Sequence, residues 1–423
     1  MDDEVIPNGS IIIENGVITK VSAENIVEPD LRTIDASGLT ALPGLVDMHV
    51  HYWAERDGPL YIANGVTTVR NMWGAGQTIR LDHGAEAGDF IGPKVYSPGP
   101  LIDGLEPVWG DASLIVENVE QAIGAIRAQK AIGFESIKLY EKLNPEVFQA
   151  SITEAKRLNM QIYTHTPQDM SITEVLKLQP DSLEHFDDAE EYLASDDFEP
   201  SFEKLNYLSL WASADPAKMP ILANLFAENS VSNCATLAVT IRLYQTKLAL
   251  EQWSNSKFSK YIEKPTMNWW RNSARRSLQR MDNELVSSAR EKQLLFLKSL
   301  YDANAPLLIG TDTPNPFVVP GFSIHDEIAD FIEAGIPIKE VLKIATRGAA
   351  EFLKADGDFG RIAEGLRANI ILVEGNPLED VAVLRTPTWV ISNGRSYNRE
   401  QLDEMLDVVR ENTLKTYEEE TQE

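Results

Sequence analysis

The chain carries only six histidines: His49, His51, His83, His165, His185 and His325. Four of them, His49, His51, His165 and His185, close short apolar runs of strand-like composition. In His49-Val50-His51 the imidazoles stand two residues apart, so on a β-strand both side chains point to the same face. Two nitrogen donors converging on one point suit Zn2+ or a similar borderline cation. A lone His-x-His pair is more often an accident of surface or core, and His165 or His185 alone reads as a satisfied core histidine. Four strand-end histidines out of six are hard to assign to chance. Together they indicate a metal site.

Two more strand ends extend the set. Asp312, in Gly310-Thr311-Asp312-Thr313-Pro314, follows the apolar run Leu307-Leu308-Ile309. A carboxylate there can ligate a metal and still take a proton from a bound water; a turn or helix N-cap aspartate is the plainer alternative. Lys138, in Ser136-Ile137-Lys138-Leu139-Tyr140, points inward at a strand end. A buried lysine is costly unless paired, shifted in pKa or modified, and a lysine snorkelling to the rim fits the same spacing equally well. Tyr140 shares that face and can donate to a substrate oxygen, with a core tyrosine as the alternative. His325, in Ser323-Ile324-His325-Asp326, reads as a helix start with a capping box. It either faces the site from the loop after the eighth strand or lies exposed in the first turn. Trp269-Trp270-Arg271 with Arg275, Arg276 and Arg280 forms a basic aromatic island, able to clamp a carboxylate or to serve as a solvated helix face. Cys234 reads as a small buried hydrophobe.

A scaffold must bring these positions together. Apolar runs at 44–51, 65–71, 93–97, 134–140, 160–165, 181–185, 230–235 and 305–312 alternate with helix-like stretches such as 116–131, 146–158 and 284–303. Strands alternating with helices predict a parallel sheet. Eight of them predict an α/β fold, a (β/α)8 TIM barrel over residues 44–356, whose catalytic face lies at the C-terminal strand ends. The connections 186–229 and 236–304 exceed simple barrel loops and are expected to be helical insertions capping the mouth. Asn15-Gly16 and Asn393-Gly394 each follow a β-rich run, a type I′ hairpin signal. They predict a small composite β-sandwich domain formed by both termini, 1–43 with 357–400. Residues 401–423 read as an acidic tail, a short helix fraying into a disordered end.

Composition narrows the partners. The 423 residues carry a formal net charge of −27, which repels nucleic-acid phosphates and anionic lipid headgroups, so neither is an expected partner. The single cysteine excludes an intramolecular disulfide and a Cys-rich zinc site. No apolar run is long enough to span a bilayer. The acidic start Met-Asp-Asp-Glu lacks a signal-peptide pattern. As written the chain is expected in the cytoplasm; a trimmed signal peptide would place it in the periplasm or outside the cell.

Pro43-Gly44-Leu45-Val46-Asp47-Met48-His49-Val50-His51 and Asn64-Gly65-Val66-Thr67-Thr68-Val69-Arg70 resemble the opening of amidohydrolase-superfamily enzymes. The closest likeness is to the imidazolonepropionase-like and prolidase-like members. Ile137-Lys138-Leu139-Tyr140, Gly310-Thr311-Asp312, Ile344-Ala345-Thr346-Arg347-Gly348-Ala349-Ala350 and Ala368-Asn369-Ile370-Ile371 agree with it. The resemblance covers nearly the whole chain outside the two long connections, and the ordered motif set is highly specific. It implies that His49 and His51 bind the more buried of two divalent cations, with Zn2+ the expected ion. It also implies that His165 and His185 bind the second, and that Lys138, carboxylated by CO2, bridges the two. Asp312 would ligate the first cation and act as general base and acid. A hydroxide bridging two metals roughly 3.5–4 Å apart would be the nucleophile. Relatives are often homo-oligomers. Asn71 and Asn369 stand where aspartate is frequent, the family's usual strand before residue 10 is missing, and Thr166 stands where some dipeptidases carry tyrosine, which weakens a dipeptidase assignment.

The expectation is a binuclear hydrolase of a C–N amide bond in a small molecule, such as a dipeptide, an N-acyl amino acid or a cyclic amide. The same centre would serve a lactone, a carboxyl ester or a phosphotriester. A non-catalytic binding protein of the same fold predicts a missing ligand, and all six ligand positions are filled.

Overall fold

The computed structural model describes residues 5–26, 31–198, 207–239, 258–278 and 283–419. The N-terminal strands β1 (Ser10–Glu14) and β2 (Val17–Ser22) form an antiparallel hairpin, and β3 (Leu39–Pro43) runs almost directly into the first barrel strand. The barrel begins with β4 (Leu45–Val50), β5 (Val66–Asn71) and β6 (Lys94–Tyr96). A short accessory pair follows, β7 (Ile102–Asp103) and β8 (Leu114–Ile115). The barrel then continues with β9 (Ser136–Leu139), β10 (Gln161–Thr164), β11 (Ser182–Glu184), β12 (Ser232–Cys234) and β13 (Leu307–Leu308). Strands β14 (Ile370–Glu374), β15 (Trp389–Ser392) and β16 (Arg395–Asn398) return to the terminal domain.

Every ladder among the barrel strands is parallel. The ring closes where Met48 N–H donates to Ile309 O at 2.9 Å and Val50 bridges Thr313. On the far side Gly99 N–H donates to Ser136 O at 3.1 Å, and β7 pairs β9 at Ile102 and Leu139. The eight expected strands are all present. Residues of β4, β5, β9, β10 and β11 are buried throughout, because side chains fill the inside and helices cover the outside. That double burial is why these strands read as continuous apolar runs rather than alternating ones. Gly310 is required where β13 approaches β4: a Cβ there would lie 2.6 Å from both the Cys234 Sγ and the His49 N.

The connecting helices start where their caps dictate. The side chains of Asn118 and Asn144 accept from the backbone N–H of Gln121 and Val147, and Ser171 forms a capping box with Glu174, each satisfying an otherwise orphaned donor. The two long connections are only partly insertions. Met219–Asn229 and Asn283–Asp302 are the regular barrel helices leading into β12 and β13, so the true additions are shorter than 186–229 and 236–304. Periodicity alone did not separate a barrel helix from an inserted one, since both bury one apolar stripe.

The terminal domain is composite, as expected. A four-stranded antiparallel sheet in the order β16-β15-β14-β3 draws on both ends of the chain. The β1–β2 hairpin joins it through the Val17–Arg367 bridge and the Ile18 N–H donating to Leu366 O at 2.8 Å. Asn15-Gly16 and Asn393-Gly394 have φ of 53° and 79°, and of 49° and 73°, the left-handed pair a type I′ turn needs. The tail differs from expectation. Arg399–Glu419 is one long helix packed on the helix Gly58–Ala63, with Leu402, Met405 and Val409 buried. The helix is longer than the short one expected, and residues 420–423 lie outside the described residues.

Candidate metal centre

The barrel brings the strand-end residues to one mouth. Donor atoms of His49, His185 and Asp312 all lie within 4.8 Å of one another. The His51 Nε2 stands 2.9 Å and the His49 Nε2 3.5 Å from the Asp312 Oδ1. The His165 and His185 rings are 4.9 Å apart, and those of His49 and His185 are 4.8 Å apart. Lys138 is buried beneath them, and its Nζ has no hydrogen-bond partner among the described residues. Asp312 and His185 adopt φ of 58° and 59°. For residues other than glycine this left-handed geometry costs on the order of 1 kcal/mol. It turns both side chains out of the strand ladder, while backbone bonds hold them: Asp312 N–H to His49 O at 2.6 Å and His185 N–H to Cys234 O at 2.7 Å.

Three of the four histidines are oriented from behind. The His49 Nδ1 lies 2.8 Å from the Glu184 Oε2, which leaves Nε2 for the mouth. The His185 Nδ1 lies 2.6 Å from the Thr236 hydroxyl, and the His165 Nδ1 pairs with Asp187. Such partners fix the tautomer and raise the basicity of a ligating imidazole. Burial pushes the His49 pKa down to about 3 and that of His165 down to about 4, so both are neutral, the form that binds a cation. Burial raises Asp312, but His49, the His51 hydrogen bond and His185 outweigh it and hold the carboxyl below its usual range. Burial lowers the Lys138 amine to about 8.

The floor of the site was not singled out from the sequence. Arg70, fully buried, donates to both Glu184 oxygens at 3.0 and 2.9 Å and to Met48 O at 2.6 Å, with Tyr163 and Phe352 rings on its guanidinium. Arg70, Ser182 and Glu184 form a packed ion pair under His49. Asp47 accepts from the Thr311 N–H at 2.9 Å and its hydroxyl at 2.6 Å, locking β4 to the loop that carries Asp312. Strand alternation hides Glu184, because its neighbour His185 has left strand geometry. A second acidic grouping, His49 with Glu184 and Cys234, is not a comparable cradle: the Glu184 carboxylate is already taken by Arg70, and burial pushes the Cys234 thiol well up.

The remaining candidates divide. Tyr140 reaches the mouth: its ring is 4.2 Å from that of His165, and its hydroxyl accepts from the Trp109 indole at 2.9 Å. His325 does not join the ligand cluster. It is buried rather than exposed, its Nε2 is 3.1 Å from the Asn64 carbonyl, and Arg385 donates to its carbonyl. The expected capping box is absent, since the Ser323 hydroxyl accepts from the Val319 N–H instead. Trp270 is core, fully buried and donating to Pro314 O at 2.8 Å.

The donors fit a cation site: the neutral imidazoles of His49 and His165, the ionised Asp312 carboxylate and the buried Lys138 amine, lowered to about 8, converge at one mouth with His51 and His185. A sequence model of the amidohydrolase family matches residues 40–396. Ochratoxinase from Aspergillus niger is 22% identical over 458 residues, spanning 92% of this chain and 82% of that protein. A solved bottromycin amidohydrolase superposes with a TM-score of 0.76 at 22% identity, covering 96% of this chain and 86% of its own. A Xaa-Pro dipeptidase with methionine in its active site superposes with a TM-score of 0.64 at 20% identity, covering 92% and 95%. At these identities the structures establish a shared fold.

Proposed function

The chain belongs to the amidohydrolase family, and from that premise we propose that it hydrolyses a C–N amide bond of a small molecule at a centre of two divalent cations. His49, His51 and Asp312 would hold one cation, His165 and His185 the other, with Lys138 between them. The observation that carries this reading is the convergence of the His49, His185 and Asp312 donors within 4.8 Å beside the partnerless Lys138 amine.

Bound there, divalent cations, with Zn2+ favoured by the imidazole donors, would polarise the scissile carbonyl and acidify the attacking water. The residues supply the rest. Asp312, ionised and 2.9 Å from the His51 Nε2, takes the proton of the attacking water and returns it to the leaving nitrogen. Glu184, itself clamped by Arg70, keeps the His49 Nε2 turned to the mouth. Lys138, with its amine lowered to about 8, has a neutral fraction near pH 7 able to add CO2, and the resulting carbamate would offer oxygens where the bare amine offers none.

The test pairs chelation with substitution. Metal-stripped protein should lose hydrolysis of a panel of dipeptides, N-acyl amino acids and cyclic amides, and regain it with Zn2+. Asp312→Asn should lower kcat by about 10³ while the protein stays folded by circular dichroism. Full activity in metal-free protein would sink the reading, and turnover confined to lactones, esters or phosphotriesters would redirect it to those bonds.

A further inference from the structure

Four aromatic side chains that the hydrolytic chemistry does not use form a continuous arc along one side of the mouth. Trp53 stacks on His51 with ring planes 9° apart and centroids 6.2 Å apart. Trp73 meets His51 edge-on at 6.1 Å and Trp53 at 5.5 Å. Trp109 lies 5.5 Å from Trp73 and donates to the hydroxyl of Tyr140, whose ring covers His165 at 4.2 Å. The arc therefore starts on one candidate ligand and ends on another.

Its origin is local. Trp53 follows His51 by two residues and Tyr140 follows Lys138 by two, so each extends the face of a ligand-bearing strand past the barrel rim. Trp73 and Trp109 come from the loops after β5 and β7. None of the three indoles is core: Trp109 is 47% exposed, and Trp53 and Trp73 are half-buried. Two of the three polar handles are engaged: the Trp73 N–H donates to Ala112 O at 3.3 Å and that of Trp109 to Tyr140. What the arc presents is chiefly flat π surface, suited to another ring. On the far side of His165 stand Asp187 and Glu141, which disfavour an anionic group.

We propose that this arc is the specificity subsite, holding an uncharged aromatic ring carried next to the scissile amide. The inference rests on the amide-hydrolase reading above. Paired amides differing only by phenylalanine or alanine, on the acyl or the amine side, measure it through kcat/KM of the metal-loaded enzyme. The phenylalanine member of one pair should be favoured about tenfold or more, and Trp109→Leu and Trp73→Leu should each pull that ratio toward one. No preference in the wild type, or a ratio unmoved in both variants, overturns the subsite, as does an equal loss on both members of a pair. Indole fluorescence of the metal-loaded Asp312→Asn enzyme gives a separate readout. N-acetylphenylalaninamide should quench it saturably and N-acetylalaninamide should not, with binding about tenfold weaker when Trp109→Leu is added. Equal quenching by the two probes overturns the subsite. Aromatic-selective quenching without turnover of any amide keeps the subsite and removes the amide-bond reading.

Discussion

His49 reaches the barrel mouth already tied from behind by Glu184 and Arg70, whereas Lys138 reaches it with an amine that no acceptor among the described residues meets. Both are buried and both point at the same space, so the difference is not one of location. The first half of the centre is preorganised by the protein alone. The charges beneath His49 balance: Arg70 offsets the burial of Glu184 and keeps its carboxyl well below the usual range, and Glu184 orients the imidazole. In the proposed centre the second half would be completed by groups that the polypeptide does not supply. An unpaired buried amine is expensive, and a protein retains such a group where something added restores the balance.

Two substitutions of similar volume should break this contrast most sharply. Arg70→Met strands the Glu184 carboxylate and should destabilise the fold by about 3–5 kcal/mol, read from urea unfolding. Lys138→Met removes only the orphaned amine. The metal-free protein should then be at least as stable as the wild type, while the metal bound per chain, read by mass spectrometry, falls. A large stability loss from Lys138→Met would show that the two halves are built alike. Glu184→Gln keeps shape but weakens the orienting bond, and should lower metal affinity roughly 10–100-fold in competition with a chromophoric chelator.

A control far from the mouth sets the scale for ordinary ion pairs. Hydrogen bonds from Arg157 and Arg127 hold the Glu154 pKa down at about 2 from 4.5. A carboxyl lowered in the fold stabilises above its unfolded pKa, and the benefit is lost as pH falls through the folded one. Glu154→Gln should therefore flatten the melting temperature against pH between about 4.5 and 2, with no effect on metal binding.

Much of this was legible beforehand. All eight barrel strands, both Asn-Gly hairpins and the two-ended β domain stand where the residue pattern put them, because each rests on short-range rules of burial and turn geometry. The misreadings share one cause. From the residues alone the helix Met219–Asn229 falls wholly within an insertion, the barrel helix Asn283–Asp302 reads as a helix between strands yet also lies inside 236–304, and Arg399–Glu419 is expected to be short, because an apolar stripe does not say what it packs against. His325 likewise carried no mark of burial, since its partner, the Asn64 carbonyl, is 261 residues away.

The sequence by itself determined which residues can offer donors and that they stand at strand ends, for a strand buried on both faces must be apolar and a polar residue closing it is conspicuous. Only the tertiary structure decided what stands behind each donor. Glu184 meets Arg70 across 114 residues and His49 across 135. Pairings of that span are set by barrel closure and by the left-handed turns at His185 and Asp312, which local residue preferences do not encode.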